Sequence, residues 1–262
     1  MKHPCPLPAG DPDLLREGPL KWGRGWLAVS KPTGISLHND PGHDLLSAMA
    51  QYVETHGELA EAMGYDAGFG IHLPHRLDKE TSGIVIMACA EAAHRWISRQ
   101  FEEKRVVKEY NAIVHGDLAI PQGALWGEWA WPLSKTAGGR SNPAGTGKKV
   151  HCLTRYRSLC HSPRYTLIAC EPVTGRMHQI RRHARMAGHA VVGDARYGTP
   201  QSIRHLKSMG FSRLALHAAS ITLVLPETAS PATLASPGLP VEMIRLMEQD
   251  LAGKQAGDGV IG

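Results

Sequence analysis

An acidic side chain lies in a short polar turn that directly precedes an apolar run. The turn spans residues 75–83 and has the sequence HRLDKETSG. Hydroxyl and basic side chains surround Asp78, so its carboxylate can act as a nucleophile or stabilise a developing positive charge at one fixed atom. The alternative is an Asx-turn in which Asp78 only caps the backbone of the residues that follow it.

The run after this turn has the composition of a buried strand. Val and Ile dominate residues 84–88, which is typical of a strand that is covered on both faces. A strand that is held in a core keeps the loop at its end rigid. The predicted strand would therefore fix the position of Asp78.

Apolar spacing predicts further elements along the chain. Strands are predicted at Trp26–Ser30, Val106–His115, Arg164–Pro172 and Ser220–Leu225, and helices at 44–56, Glu91–Glu103 and Val241–Leu251. One more helix is predicted to begin at a Thr174 cap and to end at Gly188.

The composition is that of a globular protein without membrane spans. The chain has 262 residues, of which 42% are hydrophobic, and no apolar run approaches the ~18 residues of a membrane span. The five cysteines are an odd number without a C-x-x-C pair, which argues against a disulfide framework and favours a reducing cytoplasm. No metal site is predicted, because His178, His183 and His189 do not share one helical face.

Positive charge is concentrated in one part of the chain. The net charge is +5, and between Trp129 and Gly193 there are eleven basic residues but only one acid, Glu171. Such asymmetry favours a surface that meets a polyanion, with nucleic acid as the leading partner and an anionic membrane surface as the second. A solvated face without a partner is the alternative.

Residues 134–149 have the sequence SKTAGGRSNPAGTGKK and show no apolar periodicity. This predicts a long mobile loop, which either contacts a ligand or is disordered without a function. Its G-T-G-K segment is similar to a phosphate-binding loop only superficially. Asn142 replaces the first Gly of that motif and Lys149 replaces its Ser or Thr, so nucleotide binding is rejected.

Four motifs, in order along the chain, resemble those of the RluA-type pseudouridine synthases, which isomerise uridine in RNA. The turn H-R-L-D-x-x-T-S-G resembles the family signature, and T-G-R-x-H-Q-I-R at 174–181 resembles its third motif. Lys-Pro-x-Gly at 31–34 and Lys108-x-Tyr110 lie where the family has its first motif and its K-x-Y element. The resemblance spans roughly Trp26 to Pro226.

This resemblance implies an α+β fold, with a mixed, largely antiparallel central sheet, flanking helices and an RNA-binding cleft. It also implies conversion of uridine to pseudouridine without a metal or an organic cofactor. Asp78, Tyr110 and Arg181 match the essential aspartate, the active-site tyrosine and the active-site arginine of the family. By its sequence alone, Tyr110 would more often be a packed aromatic side chain.

Recognition of RNA requires further side chains. A uridine in folded RNA must leave its stack to reach Asp78, and we predict that Arg76 fills the vacated space, with a structural salt bridge as the alternative. The side chains predicted to bind RNA are those of Arg76, Thr81, Lys148, Lys149, Arg176, His178, Gln179 and Arg182. Among them, Lys148, Lys149, Arg176 and Arg182 are assigned to phosphates, which position RNA without reading its sequence.

We predict an N-terminal extension over residues 1–20, a catalytic domain over 21–230, and a C-terminal helix and tail over 231–262. About 25 residues precede the first motif, too few for the S4-type RNA-binding domain that members of the family often carry. RNA affinity is therefore expected to come from the catalytic domain. We expect a cytoplasmic monomer that acts on ribosomal or transfer RNA and binds neither DNA nor a membrane.

Two other functions fit parts of this pattern. The first is an RNA-binding protein that kept the fold without catalysis, against which the presence of Asp78, Tyr110 and Arg181 argues. The second is another enzyme with an aspartate nucleophile, such as a glycoside hydrolase. Those enzymes usually need two carboxylates that flank the bond, and near Asp78 only Glu80 is available, in the same turn.

Overall fold

The computed structural model describes residues 9–10 and 18–258. The helices of this part are α1 (Leu45–Thr55), α2 (Gly57–Met63), α3 (Glu91–Glu102), α4 (Gln179–Met186), α5 (Pro200–Ser208) and α6 (Val241–Asp258). The strands are β1 (Ala9–Gly10), β2 (Lys21–Gly23), β3 (Trp26–Lys31), β4 (Ser82–Ala88), β5 (Val107–His115), β6 (Gly127–Trp129), β7 (Leu133–Ser134), β8 (Lys149–Val150), β9 (Thr154–His161), β10 (Tyr165–Pro172), β11 (Leu216–Val224), β12 (Pro231–Ala235) and β13 (Leu239–Pro240). The predicted α+β class is confirmed.

The helices and strands that were predicted from apolar spacing are present. For example, the helix predicted over Glu91–Glu103 is α3, and the strand predicted over Val106–His115 is β5. Most of the predicted N-terminal extension, and residues 259–262 of the predicted tail, lie outside the described residues. In the part of the chain that is described, no helix combines the length and the apolar character needed to cross a membrane.

The chain divides into two compact units. Among the described residues, 18–108 and 218–237 form the N-terminal unit, and 9–10, 109–217 and 238–258 form the C-terminal unit. Each unit has its own cluster of buried apolar side chains. The two are described in turn.

In the N-terminal unit, β2, β3 and β4 pair in antiparallel order, and β11 pairs with β12 in the same sense. All seven residues of β4 are buried, as predicted for a strand covered on both faces. Helix α1 begins after Asp44, whose Oδ1 accepts a hydrogen bond from the Ser47 N–H at 2.9 Å. The helix buries one apolar face, formed by Leu45, Met49 and Val53, because these residues recur at helical spacing.

Gly83 lies at the start of β4, where the main chain passes very close to β11. Its φ is +113°, and a Cβ atom there would lie 2.1 Å from the carbonyl oxygen of Ala218. Any side chain at this position would therefore collide with the backbone of β11. The glycine that follows Thr-Ser in the turn is thus required by packing as well as by its backbone conformation.

In the C-terminal unit, β5, β10, β9 and β6 form an antiparallel ladder in that order. Strands β7 and β8 form a separate antiparallel pair, and β1 pairs with β13 in parallel. The core beneath the ladder contains Ile180 and Ala184 of α4 together with Met243 and Leu246 of α6. Helix α4, which carries the last three residues of the third motif, is therefore held by its apolar face against the sheet.

Candidate active site

Asp78 lies in the turn that enters β4, in the N-terminal unit. Its side chain is half-buried, and its main-chain carbonyl accepts a hydrogen bond from the Thr81 N–H at 3.1 Å. Thr81 and Ser82 are 1% and 3% exposed, so the end of the turn is fixed in the interior. Because Thr81 is so deeply buried, we assign it to the turn and not to the predicted contact with RNA.

A buried lysine joins the first motif to this turn. Lys31 is 1% exposed, and its ammonium group donates to the carbonyl oxygens of Pro32 at 2.8 Å, Ile35 at 2.8 Å and Lys79 at 2.9 Å. Hydrogen bonds from a charged donor are stronger than neutral ones. Lys31 therefore fixes the main chain at the residue that follows Asp78.

Two more bonds from the first motif reach the same turn. The Gly34 N–H donates to the carbonyl oxygen of Lys79 at 3.0 Å, and the Thr33 hydroxyl donates to the carbonyl oxygen of Glu80 at 2.7 Å. Both acceptors belong to the two residues that follow Asp78. The first motif thus supports the backbone of the turn, a role that its sequence does not reveal.

Replacing Lys31 with Met should lower the free energy of unfolding by about 2–4 kcal/mol, because the change removes a buried charged donor that three part-buried carbonyl groups share. Urea unfolding followed by circular dichroism measures this loss. Lys21→Met on β2, where the side chain is exposed, serves as the matched control and should change little. A Lys31→Met protein as stable as the unmodified chain would contradict this role.

His75, at the start of the central motif, is a structural acceptor. Its Nε2 accepts a hydrogen bond from the Ile86 N–H at 3.1 Å, and its ring stacks on Phe101 with centroids 4.9 Å apart. Burial, and to a lesser extent the charge of Lys108, lowers the pKa of His75 to about 3. The ring is therefore neutral near pH 7, as an acceptor nitrogen requires. The adjacent Arg76 is exposed.

Tyr110 lies on β5 in the C-terminal unit, opposite Cys170 of β10. Its half-buried ring packs against the C-terminal core. A ring in this position is held by packing on one side and keeps part of its surface accessible. The structure is thus compatible with the stacking role that the family resemblance implies for Tyr110.

Arg181 is fixed by a buried carboxylate. Arg181 is 4% exposed and Asp194 is 1% exposed. The guanidinium donates from Nε to Oδ2 of Asp194 at 2.7 Å and from Nη2 to Oδ1 at 3.0 Å. A two-point pairing of this kind sets the plane of the guanidinium as well as its position.

Asp194 has no role in the sequence-based predictions, yet it organises the surroundings of Arg181. Its Oδ1 also accepts the main-chain N–H groups of Arg196 and Tyr197, both at 3.0 Å. The buried Tyr197 ring lies with its centroid 5.5 Å from the guanidinium carbon of Arg181, and its hydroxyl bonds with Nδ1 of His178 at 3.0 Å. The available signal was the segment D-x-x-Y-G at 194–198, an acid followed by the donors of a tight turn.

Helix α4 begins at Gln179, about one turn later than predicted, so the predicted Thr174 cap is wrong. The residue before the helix, His178, has a left-handed backbone with φ 54° and ψ 28°. Instead of capping the helix, the Thr174 hydroxyl donates to Oε1 of Gln179 at 2.6 Å. The helix starts only where the main chain leaves the left-handed conformation.

Gln179 is buried and acts within the protein. Its Oε1 also accepts the Arg176 N–H at 3.0 Å, while its Nε2 donates to the carbonyl oxygen of Leu153 at 2.9 Å and to Oγ1 of Thr154 at 3.0 Å. Since both ends of the amide are engaged and the residue is 4% exposed, we withdraw the predicted contact between Gln179 and RNA. Its role is to tie the segment before α4 to β9.

Arg182 is fully buried, and this position corrects its predicted contact with phosphate. Its Nε and Nη2 donate to the carbonyl oxygens of Pro143 at 2.6 Å and Ala144 at 2.5 Å. Its Nη1 donates to those of Ser134 at 3.1 Å and Met177 at 3.3 Å. Burial lowers the pKa of this guanidinium, and the surrounding carbonyl dipoles compensate for the lost hydration.

The segment 134–149, which was predicted to be a long mobile loop, forms a hairpin that β7 and β8 close at its base. Ser134 pairs with Lys149 across β7 and β8. Arg185 donates to the carbonyl oxygen of Arg140 at 3.3 Å, and Arg196 donates from Nε to that of Gly138 at 3.0 Å. The sequence of the segment shows only that apolar periodicity is missing. It does not reveal that arginines distant in the sequence donate hydrogen bonds to the carbonyl groups of the segment.

The remaining predicted RNA contacts lie at the surface of the C-terminal unit or near it. Lys148, Lys149 and Arg176 are exposed, and His178 is half-buried. Among the residues that the structure describes, no three His, Cys, Asp or Glu side chains are grouped so that they could hold a metal ion.

A family model, curated protein sequences and solved structures all show similarity between this chain and pseudouridine synthases. A family model described as RNA pseudouridylate synthase matches residues 25–186. The ribosomal large subunit pseudouridine synthase D of Zymomonas mobilis is 34% identical over 207 residues, which is 76% of this chain and 62% of that protein. The tRNA pseudouridine synthase C of Haemophilus ducreyi is 35% identical over 231 residues, which is 80% of this chain and 86% of that protein.

A solved structure, that of human RNA pseudouridylate synthase domain containing 4, is also similar. It superposes with a TM-score of 0.66 at 24% identity and covers 90% of this chain and 93% of the human one. At this level of identity the likeness supports the fold. The ribosomal large subunit pseudouridine synthase C of Vibrio vulnificus is 33% identical over 80% of the chain, but the chain spans only 62% of the length of that relative.

Proposed function

Because this chain belongs to the RNA pseudouridylate synthase family, we propose that it converts specific uridines of ribosomal or transfer RNA into pseudouridine. The observation that carries the proposal is the family match over residues 25–186, a range that contains Asp78, Tyr110 and Arg181. The names of the similar proteins divide between ribosomal RNA and transfer RNA. Both classes of RNA are therefore included as substrates.

The reaction is an isomerisation in which atoms and electrons balance without a second substrate. The bond between N1 of uracil and C1′ of the ribose breaks, the base turns, and a bond forms between C5 and C1′. The proton that leaves C5 is matched by one that N1 gains, so neither an oxidant nor a reductant is needed. Asp78 supplies the carboxylate, either as a nucleophile or by stabilising positive charge on the sugar.

Tyr110 and Arg181 support this carboxylate chemistry in the proposal. A guanidinium close to a carboxylate favours its ionised form, which is the role that the family resemblance implies for Arg181. The pairing with Asp194 suits it to that role, because a group whose plane is fixed loses little entropy when a ligand binds. Tyr110 is assigned to stacking on the uracil ring, which its half-buried position permits.

A direct test incubates the purified chain with ribosomal and transfer RNA transcripts that carry no modifications. A carbodiimide adduct then blocks reverse transcription at each pseudouridine. We expect new stops at one or a few defined uridines. Release of free uracil without stops would indicate a glycosidase, and tight binding without any product would indicate an RNA-binding protein without activity.

The affinity for RNA should fall steeply with added salt, because exposed basic residues displace counterions from the phosphates. Replacing Lys148 and Lys149 together with Gln should make the plot of log affinity against log salt concentration shallower by about 1.5, or roughly 0.7–0.9 for each contact. Filter binding at several salt concentrations measures the slope. Lys21→Gln with Lys207→Gln, two exposed lysines elsewhere, is the control and should leave the slope nearly unchanged. If the slope stayed the same after replacement of Lys148 and Lys149, these two side chains would not contact the phosphates of the RNA.

We further propose a monomer in a reducing cytoplasm. Four cysteines of the described part, Cys89, Cys152, Cys160 and Cys170, are buried free thiols. This state supports, for the described residues, the prediction that the chain is not built on a disulfide framework.

A further inference from the structure

Three large apolar side chains of the C-terminal unit are exposed close to helix α4. Trp131, Val173 and Met177 are 40%, 46% and 48% exposed. Single exposed apolar residues are common, but several together with a charged rim mark an interaction site. No motif discussed above assigns a role to Trp131 or Val173.

The strand register places two of these residues at the same end of the sheet. Thr154, the first residue of β9, pairs with Trp129 at the end of β6 and with Pro172 at the end of β10. The chain therefore leaves the sheet at neighbouring points on both sides of β9. Trp131 and Val173 follow these exits by two residues and by one.

Buried polar side chains of α4 hold the backbone of this region. His183 is fully buried. Its Nε2 donates to the carbonyl oxygen of Trp131 at 2.9 Å, while its Nδ1 accepts from the Thr154 hydroxyl at 2.9 Å. Since a carbonyl can only accept, Nε2 carries a proton, and burial lowers the pKa of His183, which favours the neutral ring whose Nδ1 accepts.

Two residues that precede His183 in α4 fix the backbone around Met177. Arg182 donates to its carbonyl oxygen at 3.3 Å, and Gln179 accepts the N–H of Arg176 at 3.0 Å. The main chain is thus held from the interior, whereas the side chains of Trp131 and Met177 face the solvent. A rigid aromatic surface of this kind binds a planar ligand with a small loss of entropy.

The rim of this surface is positively charged. Arg176 and Lys149 are exposed, and Lys149 pairs with Ser134, three residues beyond Trp131. No acidic residue occurs anywhere between 130 and 170. Aromatic side chains next to cations are the combination by which proteins bind single-stranded nucleic acid, since bases stack while phosphates pair with the charges.

We propose that Trp131, together with Val173 and Met177, forms a stacking platform for an unpaired base of the RNA substrate, and that Arg176 and Lys149 bind the adjoining phosphates. The identity of the ligand as substrate RNA rests on the proposed function. The platform adds a binding subsite that determines which unpaired sequence context the protein accepts.

The test uses a fluorescein-labelled oligouridylate of about 20 nucleotides, longer than the ~4–16 nucleotides that one such site covers, and measures fluorescence anisotropy. Trp131→Ala should weaken binding at least about fivefold, the lower end of base–aromatic stacking. Trp131→Phe should keep most of the affinity, whereas Trp131→Leu should behave like Trp131→Ala. Trp22→Ala removes a tryptophan that is 42% exposed in the N-terminal unit, and as the matched control it should bind like the unmodified chain.

Two results would overturn the platform. One is a Trp131→Ala protein that is folded by circular dichroism and binds oligouridylate as tightly as the unmodified chain. The other is a Trp131→Leu protein with full affinity, since an apolar contact without stacking would fit a protein partner instead. If the unmodified chain modifies no RNA while the Trp131 variants still lose affinity, the proposed activity fails and the platform stands.

Discussion

Replacing Asp78 with Asn should abolish pseudouridine formation while the protein stays folded and still binds RNA. The amide has nearly the same size as the carboxylate, but it is neither a nucleophile nor an anion. Loss of a group that acts directly on the reacting atoms typically costs a factor of about 10³ or more in turnover. Release of tritium from RNA labelled at C5 of uridine measures turnover, since each isomerisation frees that hydrogen.

Glu80→Gln is the matched control for Asp78→Asn, because it removes a carboxylate from the same turn. Glu80 is exposed, and the bond between the turn and Thr33 uses its main-chain oxygen. Turnover of this variant should therefore stay near the unmodified value. If the Asp78→Asn protein kept more than about a tenth of the turnover, the catalytic role of the Asp78 carboxylate would be excluded, because loss of such a group lowers turnover by a far larger factor.

Replacing Asp194 with Asn should lower the free energy of unfolding by about 3–5 kcal/mol, the usual cost of leaving one partner of a buried ion pair uncompensated. The pair is nearly inaccessible to water, with side chains 5% and 0% exposed. In this variant the orientation of the Arg181 guanidinium is also no longer fixed by a two-point pairing with a carboxylate. We therefore expect the turnover number to fall more than the apparent affinity for RNA, which the same tritium assay measures across RNA concentrations.

The control for Asp194→Asn is a pair of the same chemical type at the surface. Glu91 and Arg95 lie 2.9 Å apart on α3 with side chains 61% and 70% exposed, and such pairs contribute little. Glu91→Gln should hardly shift the urea midpoint. An Asp194→Asn protein that unfolded at the same midpoint as Glu91→Gln would show that Arg181 does not depend on this carboxylate.

The two arginines of the third motif show what sequence can and cannot reveal. Arg181 and Arg182 are adjacent, equally charged and placed on the same predicted helix, so the pattern assigned both to function. In the structure Arg181 pairs with Asp194, whereas Arg182 binds four carbonyl groups. The difference lies in partners that are distant in the sequence, and local spacing carries no information about them.

Elements whose apolar pattern was strong were predicted well for a similar reason. Strand β4 is buried along its whole length, and its composition alone indicates a covered strand. The start of α4 was misplaced because Thr174 is a good capping residue whose hydroxyl is used elsewhere, by Gln179. The side chain of Gln179 lies five residues further along the chain, outside the pattern of a capping site.

The hairpin 134–149 is held through its main-chain oxygens, which every amino acid carries. Most substitutions along it preserve the acceptors of Arg182, Arg185 and Arg196 as long as the backbone keeps its path. Insertions or deletions, in contrast, would move the carbonyl groups of Pro143 and Ala144 away from Arg182. An exchange of an outward residue such as Lys148 should therefore leave this support intact, whereas a change in the length of the hairpin should weaken it.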